Sequence, residues 1–291
     1  MLKGLSRRHF LGAGVGAVAS AGALAWLYRS RNTAIPLGNL VADRAGILDL
    51  PPGFSYQVLQ RVGDPMTDGF NAPAAPDGMA CFSGTDGSWV VMRNHEIHEG
   101  SPVDAALGFA DDRGGGVTRL VVDRASGTLR SSNFVLTGTS RNCAGGPSPY
   151  GWLSCEEVDE SGHGFVFLCD VSASELQAPH RLPALGRFSH EAAAFDAKTG
   201  ITYLTEDTSD SAIYRHVPNH TTQPFVGGEL QALKVSGKDR FMLSEGRKVD
   251  EAFNVEWVSV PDPQALKAST RDQAHNAGAA FFSRGEGAWL A

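Results

Sequence analysis

Apolar and polar positions alternate along much of this chain, in short runs broken by turn residues. Phe54-Ser55-Tyr56-Gln57-Val58-Leu59 alternates in this way, which predicts a strand. The same reading predicts strands over 78–82, 88–93, 117–123, 128–136, 151–155, 165–171, 192–196, 201–205, 212–217 and 230–235. Between residues 50 and 240 no stretch keeps the period of a long amphipathic helix. Turn signals recur about every 8–12 residues, which predicts a sandwich, a barrel or a propeller.

An internal echo narrows that choice. Val122-Asp123-Arg124-Ala125-Ser126-Gly127-Thr128-Leu129 and Phe195-Asp196-Ala197-Lys198-Thr199-Gly200-Ile201-Thr202 both read as strand, Asp-x-x-Ser/Thr-Gly turn, strand. They stand 73 residues apart, close to two propeller blades of about 40 residues each. The expectation is an all-β chain, a β-propeller in one domain over 35–291. A propeller gathers ligands at its channel from loops and strand ends of several blades. Functional residues should therefore be scattered along the chain and converge in space.

Composition fits this picture. The 34 glycines among 291 residues show no collagen period and suit many tight turns. A chain of this length buries a core without a disulfide framework, and it has only 4 cysteines. A net charge of −7 argues against a nucleic-acid partner, which selects a basic face.

Residues 1–34 hold five basic residues (Lys3, Arg7, Arg8, Arg29, Arg31) and no acidic one. Ser6-Arg7-Arg8-His9-Phe10-Leu11 is a twin-arginine pattern, followed by an uncharged run to Tyr28. The segment reads as a signal for the Tat translocase, and the chain as periplasmic or extracellular. Cleavage after Ala25 or Ala34 and retention as an anchor are all open; membrane contact would run only through this segment. Without it, 20 basic and 32 acidic residues leave a charge of −12.

Five clusters carry candidate chemistry. They are Arg93-Asn94-His95-Glu96; Asn142-Cys143-Ala144-Gly145-Gly146 running on to Cys155-Glu156-Glu157; Arg187-Phe188-Ser189-His190-Glu191; Thr205-Glu206-Asp207 followed by Tyr214-Arg215; and Ser283-Arg284-Gly285-Glu286-Gly287. Each sets an acidic residue at or just beyond a strand end. Converging carboxylates repel one another unless cations neutralise them, and hard oxygen donors suit Ca2+, Mg2+ or Mn2+. Cys81, Cys155 and Cys169 lie in apolar runs and read as small buried hydrophobes. Cys143, in a glycine-rich loop, is either a structural cysteine or a soft ligand for a transition metal such as iron. No Gly-x-Ser-x-Gly elbow, phosphate-binding Walker loop or dinucleotide fingerprint occurs.

Taken in order, these clusters resemble the PhoX-type alkaline phosphatases over about 50–291, nearly all of the chain beyond the signal. The resemblance implies a six-bladed propeller with Fe(III) and Ca2+ in the channel mouth. It implies Cys143 as the iron thiolate and Glu157, Glu191 and Glu206 as carboxylate ligands. Glu96, Glu156 and Asp207 are further candidates, with Glu286 a late acidic ligand. Arg284 would contact the phosphate of a small phosphate ester, and Arg215 is a second candidate grip. The Ser148-Pro149-Tyr150-Gly151-Trp152 stretch is one residue shorter than the family's. The resemblance also implies an incomplete closing blade, since the chain stops soon after Glu286. A monomer is expected. Two other functions remain open: a non-catalytic calcium-binding propeller, and a calcium-dependent hydrolase of another ester class, lactonase-like.

Overall fold

The computed structural model describes residues 38–248 and 250–290. The twin-arginine segment lies outside the described residues. Among these, no helix is long and apolar enough to cross a membrane.

The chain divides into two units, one ending at Gln57 and the other beginning at Val58. In the first, Val41 and Leu50 form an antiparallel bridge. The Asp43 carboxylate ties the loop between them, accepting from the amides of Ala45, Ile47 and Leu48 and from the Tyr56 hydroxyl. The strand expected over Phe54–Leu59 does not form. Its apolar positions are exposed, and no ladder pairs it among the described residues. Alternation marks which side of a strand would be buried; it does not supply the neighbour.

The second unit contains three antiparallel sheets. β1 (Pro76–Ser83), β2 (Ser88–His95), β3 (Gly115–Asp123) and β4 (Leu129–Thr139) form the first in chain order. β5 (Asn142–Ser148), β6 (Gly151–Glu156) and β7 (Val166–Cys169) form the second. β8 (His190–Phe195), β9 (Thr202–Glu206), β10 (Ile213–Pro218), β11 (Gly228–Val235) and β12 (Val255–Ser259) form the third. One short helix, α1 (Thr270–Asn276), is capped by the Ser269 hydroxyl, which accepts from the Asp272 amide at 3.0 Å.

Ten predicted runs fall on β1 to β4 and β6 to β11. β5 is a strand where a loop was expected, and β12 is an addition. The sheets stack in chain order: β1 and β2 pack on β5, and β5 and β6 pack on β8. β6 is buried on both faces, Ser154 and Glu156 included. Trp152 joins Val90, Met92, Val117 and Leu136 of the first sheet. Leu153 and Cys155 join Ala193, Leu204 and Tyr214 of the third. All four cysteines are free. Cys155 and Cys169 are buried as expected, but Cys81 is exposed, on the same outward side of β1 as Met79 and Ser83.

The glycines of β5 serve strand packing. A Cβ at Gly146 would lie 1.8 Å from the Ala193 carbonyl oxygen, and one at Gly145 would lie 1.9 Å from that of Leu153. Backbone cannot yield as a flexible side chain can. Gly146→Ala should therefore cost about 3 kcal/mol or more of stability. Denaturant unfolding checks this; a loss below about 1 kcal/mol would show that β5 and β8 separate easily.

Candidate metal centre

β5 begins with an irregularity: its register on β6 shifts between Asn142 and Gly145. The shift turns Cys143 away from the ladder. Asn94, buried at the end of β2, fixes the distorted backbone. Its Nδ2 donates to the carbonyls of Cys143 at 3.1 Å and Ala144 at 2.7 Å. Its Oδ1 accepts from Trp152 Nε1 and Ser154 Oγ. Asn142 accepts from Thr139 Oγ1 and donates to Ser154 Oγ. Both asparagines shape the loop rather than bind anything themselves.

Three side chains meet there. Cys143 of β5, Glu157 just past β6, and Glu191 of β8 each offer a donor atom, all within 4.8 Å of one another. An isolated bridge between Glu157 and Ser189 ties the end of β6 to the start of β8, and the Glu157 amide donates to the Arg141 carbonyl ahead of β5. Asp77 at the start of β1 adds a fourth group, its Oδ2 3.8 Å from Cys143 Sγ.

Charge around this group is strongly unbalanced. Burial lifts the Glu191 carboxyl to about 7; a hydrogen bond with Cys143 opposes the rise, and the charges of Glu157, Glu286 and Asp207 add to it. Burial also raises Glu157, partly offset by Arg141, with Asp207 and Glu96 adding to the rise. Asp77 rises through burial and the charge of Glu96. The Cys143 thiol is raised by burial first, then by Glu191, Asp77 and Glu157. Two arginines serve as counter-ions. Arg141 Nη2 reaches Glu96 Oε1 at 2.6 Å and Glu157 Oε2 at 3.0 Å. Arg284 Nε lies 3.0 Å from Asp207 Oδ1. Both adopt the left-handed conformation, with φ of 48° and 55°, a costly backbone state that clusters at functional sites.

The predicted residues separate. Cys143, Glu157, Glu191, Asp207, Glu96, Glu286 and Arg284 belong to this neighbourhood. Glu156, Glu206 and Arg215 are bound elsewhere. Glu156 is fully buried; it accepts from the amides of Ser140, Gly164 and Phe165 and pairs with His163 Nδ1 at 2.8 Å. Glu206 is also fully buried; it accepts from Arg271 Nη1, the Tyr214 hydroxyl and the Ala212 amide. Arg215 lies in β10 over the Trp257 ring, 4.4 Å from its centroid, and donates to Gln231. Strand alternation explains the split. Adjacent residues face opposite ways, so only one carboxylate of Glu156-Glu157, or of Glu206-Asp207, can face the cluster. The signature histidines are structural too. His95 sits between the Ala74 carbonyl and Thr118, and burial holds its imidazole down at about 4. His190 stacks on Phe188 and is held down at about 3, again by burial.

Sequence reasoning missed Asp77 and Arg141. Asp77 has no motif around it. Arg141 directly precedes Asn142-Cys143, a position that could have drawn notice.

Arg271→Met isolates the structural role of Glu206. It would leave a buried carboxylate without its cation, at a cost of about 3 kcal/mol. The measurement is unfolding free energy, with bound metal assayed in parallel. Metal loss from a protein of unchanged stability would instead place Glu206 in the centre.

The family model described as alkaline phosphatase PhoX matches residues 35–133 and 125–291. No curated protein matches. Among solved structures, Pseudomonas fluorescens PhoX in complex with vanadate, a transition state analogue, is similar at 17% identity and a TM-score of 0.51. The match covers 76% of this chain and 57% of that one, so the chain spans little more than half the length of that structure.

Proposed function

The chain belongs to the PhoX alkaline phosphatase family, and from that premise we propose that it hydrolyses phosphate monoesters at a metal centre built around Cys143, Glu157 and Glu191. The observation that carries the proposal is the donor group itself, one thiol and two carboxylates within 4.8 Å. It is ringed by further acids with too few cations to balance them.

The donor chemistry fits the metals that the family resemblance implies. A thiolate beside carboxylates can hold iron, which the resemblance implies as Fe(III), and the surrounding Asp77, Glu96, Asp207 and Glu286 oxygens suit Ca2+. Bound cations would polarise the phosphoryl oxygens and supply a nucleophile near neutral pH. The protein's own residues set the rest. The carboxylates alone would repel a phosphate dianion, so substrate affinity depends on their neutralisation. Arg284 stands at the rim with 67% of its side chain exposed. Asp207 engages its Nε, leaving both Nη groups to grip phosphate oxygens as a fork. The reading extends to a propeller channel as the setting and to Tat export of the folded, loaded chain to the periplasm. Both rest on the family and on the twin-arginine pattern.

The test is turnover of para-nitrophenyl phosphate, with metal analysis of protein purified through its export route. Iron and calcium together with phosphatase activity are expected. Calcium without iron and without phosphatase turnover would favour the scaffold or lactonase-like reading, and unimpaired turnover after complete chelation would overturn the metal mechanism.

A further inference from the structure

One cavity shares no lining residue with the metal centre. It has a volume of about 460 Å³ and is lined by Thr67, Asp68, Phe70, Arg119, Ser131, Asn133, Ser174, Glu175 and Leu176. Arg119 of β3 faces it beside Ser131 and Asn133 of β4, which pair with β3 around that position.

Arg119 is only partly compensated. Its Nε donates to the Val171 carbonyl at 2.7 Å. Its Nη groups have no hydrogen-bond or ion-pair partner among the described residues. Burial pulls its pKa down, against the more remote charges of Asp170 and Asp86. Those two carboxylates offset the burial of the Arg119 cation only in part, and a carboxylate bound in the cavity would relieve the remainder through the guanidinium fork.

A simple anion does not suit the rest of the lining. Asp68 is held rigidly at the wall, its Oδ1 accepting from the Phe70 amide at 3.2 Å and its Oδ2 from the Phe134 amide at 2.7 Å. Glu175 also lines the cavity. One cation and two carboxylates favour a ligand with both signs of charge. Phe70 and Leu176, which pack together with Phe134, supply an apolar wall.

We propose that this cavity binds a zwitterionic α-amino acid with an apolar side chain, its carboxylate on Arg119, its ammonium toward Asp68 and Glu175, and its side chain against Phe70 and Leu176. The volume is ample for a molecule of that size.

Calorimetry on the full chain tests this with L-leucine and L-phenylalanine. Two truncated probes accompany them: isocaproate lacks the ammonium, and leucinamide lacks the carboxylate. The amino acids should bind, with each truncated probe weaker by about tenfold or more. Arg119→Gln should weaken leucine by at least about tenfold, and Arg119→Lys should lose part of the affinity, keeping the charge without the fork. If neither variant folds, the comparison of probes on the unaltered chain decides alone. Absence of heat with millimolar amino acid, equal binding of either truncated probe, or unchanged leucine affinity in a folded Arg119→Gln protein would each overturn the assignment.

Discussion

Glu191→Gln should remove phosphatase activity by about 10³-fold and strip the centre of metal, while the folded chain survives. Gln matches Glu in shape and still fills the space beside Cys143. It lacks the charge that a cation needs, and its amide is a poor ligand. The residue stands on β8, where the third sheet meets the second, and it shares donor distance with both Cys143 and Glu157. Few single changes would disturb so many of the contacts a cation needs. The control is Glu156→Gln. That carboxylate accepts four bonds from the fold, so its loss should lower stability and leave turnover per metal-loaded molecule intact. Steady-state kinetics and metal content on both variants separate the roles. Retained metal and full activity in Glu191→Gln would remove Glu191 from the centre.

These two glutamates show what the sequence could and could not disclose. Short alternating runs located most strands, because a strand buried on one face writes its period into the residues. β6 was legible as an apolar run, and the structure buries it on both sides. β5 was not, since Gly145, Gly146 and Pro147 look like a turn. The two glycines are needed because another strand's backbone passes within a Cβ radius of them. Phe54–Leu59 had the pattern without a partner. At the site, motifs found the acidic pairs but not their facing, which depends on register and on the shift between Asn142 and Gly145. Asp77 reaches Cys143 from another sheet, a proximity that no spacing within one strand encodes.

The second large effect concerns stability, and its sign reverses with metal. Cations that bind the folded chain and not the unfolded one stabilise it by about 4 kcal/mol at a thousandfold excess over Kd. Chelation at pH 8 should therefore lower the melting temperature by about 10 °C, with full recovery when cation is restored. In the chelated state the acids face one another with, among the described residues, only Arg141 and Arg284 paired to them. Glu191 then has a folded pKa of about 7 against an ordinary 4.5. The folded state holds the extra proton between those values, so stability is present below pH 4.5 and is lost as pH rises through 7. Discounted for partial solvation, the loss is about 2 kcal/mol. Glu191→Gln abolishes that titration. At pH 8 the chelated variant should therefore melt higher than the chelated parent, and at pH 5 the two should nearly coincide. With cation present the order inverts, because only the parent gains binding energy. Thermal melts of both proteins at the two pH values, with and without cation, give the comparison. A variant less stable than the parent in every condition would mean that Glu191 is a packing residue and that the acidic cluster carries no net repulsion.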